Sequence, residues 1–169
     1  MYDVITDAED LPRWWPSVYL DARVVEPGGE GGIGRVVTLH TKGFLPYTLR
    51  WDFRVLEVLK PDRLALEARG DFVGRGVWDF RANGTDVDVT FDWRVRAEKP
   101  LLRAFSGILK PVFSANHRWA MDRGLESLRL ELRRRRARDN ADRSPVPAPP
   151  GPTFPHNLRR RRGTLNDPA

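Results

Sequence analysis

The chain has no cysteine, which excludes both a disulfide framework and a thiolate metal site. Its three histidines, at 40, 117 and 156, show no ligand spacing with carboxylates, so neither a metal nor a cofactor is expected. No apolar run approaches the ~20 residues needed to cross a bilayer, and no charged-then-apolar signal opens the chain. The expectation from these absences is a soluble, cytoplasmic protein. Charge is missing too, once it is divided along the chain. The net +6 conceals a body (residues 1–132) with 19 Lys plus Arg against 20 Asp plus Glu, and a tail (residues 133–169) with 10 Arg against 3 Asp. A neutral body has no electrostatic footprint for nucleic acid, which leaves a weak polyanion contact through the basic tail.

Catalytic signatures are equally scarce. Residues 29–34, GEGGIG, satisfy G-x-G-x-x-G, but a strand rather than a helix is predicted after them, so they read as a hairpin loop. Ser106 sits in AFSG, outside any nucleophile-elbow motif, and neither His40 nor His117 has an identifiable relation to it. His117 is expected to face solvent or cap the helix; His40 is a candidate for the mouth of a cavity.

What the chain has in quantity is alternating aromatic sequence. In YTLRWDFRVLEV, residues 47–58, Tyr47, Leu49, Trp51, Phe53 and Val55 point one way, while Thr48, Arg50, Asp52 and Arg54 point the other. Val87, Val89, Phe91, Trp93 and Val95 repeat the pattern against Asp86, Asp88, Thr90, Asp92, Arg94 and Arg96. Six strands are predicted, over about 17–26, 34–42, 47–59, 63–70, 74–82 and 85–97. Hairpin signals separate them at Pro27-Gly28-Gly29, Lys42-Gly43, Pro61-Asp62, Gly70-Asp71 and Asn83-Gly84. A short helix over Tyr2–Thr6 and a turn near Asp10–Trp14, capped by Asp7 or Asp10, precede them.

Beyond Pro100 the period becomes helical. Val112, Phe113, Trp119, Ala120, Leu125, Leu128 and Leu132 form one stripe of a helix expected over about 111–138, with Pro111 in its first turn. Residues 139–169 contain seven prolines and the arginines 159–162, and read as a disordered Pro/Arg-rich tail behind a domain spanning 1–138. A helical opening, an antiparallel meander and one long helix make an α+β fold, with a cavity expected where the helix fails to cover a curved sheet.

This order of elements resembles the START-like (SRPBCC, helix-grip) superfamily, in its polyketide cyclase/dehydrase and lipid-transport branch. The pieces that carry the resemblance are VITDAEDLPRWWPSV at 4–18, LHTKGFLPYTLRWDFRVLEV at 39–58 and FSANHRWAMDRGLESLRLEL at 113–132, within a match over about residues 2–135. It implies a curved sheet wrapped around the C-terminal helix. It also implies a strand ahead of the first helix, pairing with the last strand, whereas this chain opens inside the helix. Either the start site is displaced or that strand is lost. The edge of strand 85–97 is then expected to lie open, and a form extended upstream to be more stable.

The candidate ligand-binding residues are Trp15, Tyr47, Trp51, Phe53, Trp78, Phe91, Trp93, Asn116 and Trp119. Indole N–H and phenol O–H groups supply directional donors on an apolar wall, and Asn116 supplies either a polar handle or a bond to the neighbouring sheet. Arg75 and Arg81 read as solvated charge, with an acidic ligand group as the alternative. The function favoured is binding of a hydrophobic small molecule or lipid between sheet and helix. The alternative is a polyketide cyclase/aromatase-type enzyme that positions a flexible chain, with Tyr47, His40 and Asn116 as the only plausible proton donors. A third role, tethering to a polyanion through the tail, is separable by deleting residues 139–169.

Overall fold

Two-residue alternation and well-placed turns produce a single antiparallel meander. The computed structural model describes residues 1–98, 100–139 and 145–154, without the side chains of 97, 100–110, 138 and 139. Helix α1 (Tyr2–Thr6), a 3-10 turn (Ala8–Asp10) and α2 (Leu11–Trp14) lead into β1 (Tyr19–Glu26), β2 (Val36–Lys42), β3 (Thr48–Leu59), β4 (Arg63–Gly70), β5 (Phe72–Asn83) and β6 (Asp86–Ala97). Each strand pairs with its sequence neighbour, giving the order β1-β2-β3-β4-β5-β6. Helix α3 (Pro100–Asp139) follows the sheet and packs on its inner face. This is the α+β helix-grip architecture expected from the sequence. No described helix is long and apolar enough to cross a membrane.

The GEGGIG segment is a loop, as expected. Gly28, Gly31, Gly32 and Gly34 all have φ between 64° and 85°, a region closed to most side chains, and β2 follows directly.

In β3 the predicted dry face is dry: Leu49, Trp51, Phe53 and Val55 are 5–8% exposed. Leu56 points out by the same alternation, at 42% exposure, and a register shift between Val55 and Glu57 then brings Val58 rather than Glu57 against the core. The same alternation in β6 gives a different result. Val87, Val89, Phe91, Trp93 and Val95 are only half-buried, because β6 is last in the sheet and, among the described residues, has β5 as its sole strand neighbour.

Helix α3 corrects the sequence reading twice. It begins at Pro100, not near 111, so Pro111 lies inside it, where it lacks an N–H for the carbonyl four residues back. Its buried face also differs from the predicted stripe. Val112 and Leu125 are exposed at 37% and 49%, while Gly124, Ser127 and Glu131 join Phe113, Ala120, Met121 and Leu128 on the packed side. The spacing is helical, but small and charged residues occupy the closest approaches. The predicted caps are a third correction: neither Asp7 nor Asp10 makes a side-chain cap bond. Arginines claim the Asp10 carboxylate instead.

Residues 145–154 form neither helix nor strand, yet they meet the body at both ends. Arg134 Nη2 donates to the Pro147 carbonyl at 3.1 Å. Thr153 Oγ1 donates to the carbonyls of Gly43 (3.3 Å) and Phe44 (3.2 Å). The Lys42 ammonium donates to the Thr153 carbonyl and sits 5.5 Å from the Phe154 ring centre. The rest of the expected tail, with His156 and the arginines 159–162, lies outside the described residues, as does the side chain of Ser106.

Candidate functional site

Two adjoining cavities lie between the sheet and α3. The smaller, about 290 Å³, is roofed by α1, α2 and the Met121–Leu128 stretch of α3. The larger, about 880 Å³, runs under the preceding stretch, past Phe113, Asn116 and Ala120. Trp15, Tyr19, Trp51, Trp78, Phe91 and Trp93 line both. An indole-rich partition therefore joins two chambers with mostly apolar walls, the larger one also edged by Lys42, Arg96, Ser114, His117 and Arg118.

The partition is built by strand pairing. Trp78 and Phe91 are register partners across β5 and β6, and their rings stack at 3.8 Å and 11°. Trp93, two residues along the same face, continues the stack at 5.3 Å from Phe91. It also meets Trp51 at 5.4 Å, tilted by 52°. Gly76 sits opposite Trp93, and a Cβ there would come within 2.7 Å of the Trp93 ring. The absent side chain is what lets that indole lie across β5.

Several of the polar groups around the cavities are engaged within the protein. The Trp51 Nε1 N–H donates to Thr41 Oγ1 at 3.0 Å, a buried pair, while the buried Nε1 of Trp15 has no partner among the described residues. Burial pushes the Tyr19 phenol up to about 12 and raises that of Tyr47, so both are neutral donors near pH 7. Burial also lowers the ammonium of Lys42, which is 3% exposed. Asn116 Oδ1 accepts the Phe44 backbone N–H at 2.9 Å, a bond to the loop after β2 rather than to a strand of the sheet. A Cβ at Gly43 would collide with that amide, so the loop after β2 is fitted tightly to α3.

Of the nine predicted residues, seven line the larger cavity: Trp15, Tyr47, Trp51, Trp78, Phe91, Trp93 and Asn116. Phe53 lines only the smaller one. Trp119 lines neither; it packs edge-on against Phe44 at 6.2 Å and holds the loop after β2. His40 alternates with the cavity-lining Leu39 and Thr41 and so lies on the outer face of the sheet. Arg75 is exposed on the face opposite Gly76 and Trp78, and Arg81 is exposed beyond Phe80, as solvated charges would be. His117 is exposed at the rim.

Sequence reasoning missed Tyr19, Thr41, Met121 and Gly124. Only Gly124 carried a signal, since an isolated glycine in a strong helical pattern points to a close approach. The approaching group is the Trp15 indole, which a Cβ at Gly124 would overlap.

The roof is anchored by charge. Glu131, 1% exposed, accepts from Arg13 (2.6 and 2.9 Å), Arg134 (2.7 Å) and Arg135 (2.8 Å). Asp10 binds the same Arg13 (2.5 and 2.6 Å) and Arg135 (3.1 Å). Burial alone would push the Glu131 carboxyl up, but the three arginines together outweigh it and hold the group at about 2. This network ties α3 to α2 across 118 residues of sequence.

Chemically, the arrangement can enclose an apolar molecule and offer it neutral donors. Among the described residues no group of three His, Asp or Glu is placed to hold a metal. Comparison with curated proteins and with solved structures finds no significant match. The family model for polyketide cyclase/dehydrase and lipid transport matches residues 1–122, most of the domain and both walls of the partition. The chain belongs to that family.

Proposed function

We propose that the protein binds a hydrophobic small molecule or lipid in the larger cavity, with the tryptophan partition as its contact wall. The observation that carries this reading is a space of about 880 Å³ bounded by Trp15, Trp51, Trp78, Phe91 and Trp93. That volume falls in the range of small-molecule sites, and the predominance of apolar wall matches their composition. A ligand burying about 300 Å² of apolar surface gains roughly 7 kcal/mol before the costs of association, enough for micromolar affinity without a charged contact. Family membership supports the same ligand class.

Catalysis of the cyclase type has less to work with. Of the three donors expected from sequence, His40 lies on the other face of the sheet, and Asn116, whose Oδ1 is held by the Phe44 N–H, keeps only a weakly acidic amide Nδ2, leaving Tyr47 as the one acid–base group. Native mass spectrometry of the protein isolated from its own host is expected to show a defined apolar adduct. A bare polypeptide mass, together with failure to take up an added fluorescent apolar probe, would overturn the binding reading.

A further inference from the structure

Residues 145–154 carry prolines at 145, 147, 149, 150 and 152. A proline's φ is fixed before folding, so an extended run of them is ordered at little entropic cost and spans a gap as a semi-rigid strap. The run is tied at Pro147 to Arg134 of α3, and at Thr153 to the loop that joins β2 to β3, residues 43–47. At Thr153 the hydroxyl is shared between the carbonyls of Gly43 and Phe44, and the residue's own carbonyl takes the Lys42 ammonium. A lysine ordinarily keeps its ammonium in water. Lys42 is 3% exposed, covered by Thr153 and by the Phe154 ring.

The loop that the strap ties is a wall of the larger cavity. Gly43 and Tyr47, at its two ends, line that cavity, while Phe44 and Leu45 between them are half-buried and Pro46 is exposed. The loop therefore stands between cavity and solvent. Helix α3 holds it from one side, through Asn116 on the Phe44 N–H and Trp119 on the Phe44 ring. The strap holds it from the other, through the two carbonyls. These holds differ in strength from the clamp on α3. A part-buried hydroxyl and one ammonium on neutral carbonyls break and re-form more readily than a buried carboxylate among three arginines.

We propose that residues 145–154 are a strap that keeps the 43–47 loop closed over the larger cavity, and that release of Thr153 opens the route by which the ligand enters and leaves. The proposal rests on the larger cavity being the ligand site. The strap's bonds exist in the closed protein whether the cavity is filled or empty, and are absent while the loop is open. Weakening them therefore speeds exchange in both directions and leaves the affinity nearly unchanged.

Stopped-flow mixing of the full chain with a fluorescent apolar probe tests this. Thr153→Val keeps the shape of the side chain and removes its hydroxyl; entry and exit rates are each expected to rise about tenfold, with the affinity within about twofold of the unaltered protein. The P149G/P150G double variant leaves both anchors in place and loosens the run between them, and is expected to raise both rates by a smaller factor. A urea midpoint that falls while the rates stay unaltered would give Thr153 a purely structural role and overturn the proposal. Faster exit without faster entry would overturn it as well. Probe uptake at unaltered rates in both variants would remove the strap and leave the ligand site standing, whereas an unaltered protein that takes up no probe would sink the site and the strap together.

Discussion

From Gly124 to Arg135, α3 is clamped to the rest of the molecule. The Trp15 ring lies against its backbone at Gly124, and the Glu131 carboxylate is held by one arginine from α2 and two from the helix itself. From Phe113 to Ala120 the same helix stands over open space and touches the sheet side mainly through Asn116 and Trp119 at the loop after β2. The two stretches differ in how they approach. The clamped stretch presents a glycine, a serine and a paired charge, which bring backbone and rings into contact. The other stretch presents Phe113 and Ala120 toward a sheet whose own aromatics stack on one another. A cavity survives here because the helix is fixed by charge and close packing at one end, not by a continuous apolar seam.

That contrast can be broken from the clamped side. Glu131→Ala leaves Arg13, Arg134 and Arg135 facing one another with only Asp10 between them, and is expected to cost about 3 kcal/mol, read from urea denaturation. Acid should reach the same contribution. The Glu131 carboxyl titrates at about 2 when folded, below its ordinary value of 4.5, so its stabilisation is complete above about pH 4.5 and fades as pH falls toward 2. Each tenfold difference in proton affinity between the folded and unfolded chain is worth about 1.4 kcal/mol, so the loss approaches about 3 kcal/mol. Asp10 is lowered in the same direction, chiefly by its hydrogen bond from Arg13. In Glu131→Gln the acid-dependent loss should shrink; an unchanged pH profile would show that the network does not anchor the helix.

Gly124→Ala gives a smaller effect with an informative sign. On an unobstructed helix this substitution stabilises by about 1 kcal/mol. Here the new methyl overlaps the Trp15 indole, and the net change is expected to be a loss of about 1–2 kcal/mol, again read from urea denaturation. A gain would mean that α3 does not rest on Trp15.

The sheet was legible almost to the residue, because alternation and turn chemistry are local properties. Predicted strands at 47–59 and 63–70 compare with Thr48–Leu59 and Arg63–Gly70. The helix was legible in kind but not in face. Nothing near Glu131 in sequence shows that Arg13 will neutralise it, and a glycine gives no sign of the ring that will cover it. Pro111 read as a start because prolines favour first turns, yet the helix continues through it. The site was legible as a set of aromatics, but aromatic identity does not separate a cavity wall from a wedge. Trp93 and Trp119 look alike in sequence, and only the fold places one in both chambers and the other in neither.

Those two tryptophans offer the most direct test of a cavity bounded by the partition. Trp93→Ala and Trp119→Ala would be purified in parallel, checked for folding by circular dichroism, and titrated with one fluorescent apolar probe. Trp93→Ala is expected to weaken probe binding at least tenfold, about 1.4 kcal/mol, while Trp119→Ala binds within about twofold of the unaltered protein. Equal losses in both, or a loss confined to Trp119→Ala, would contradict a binding site walled by Trp51, Phe91 and Trp93.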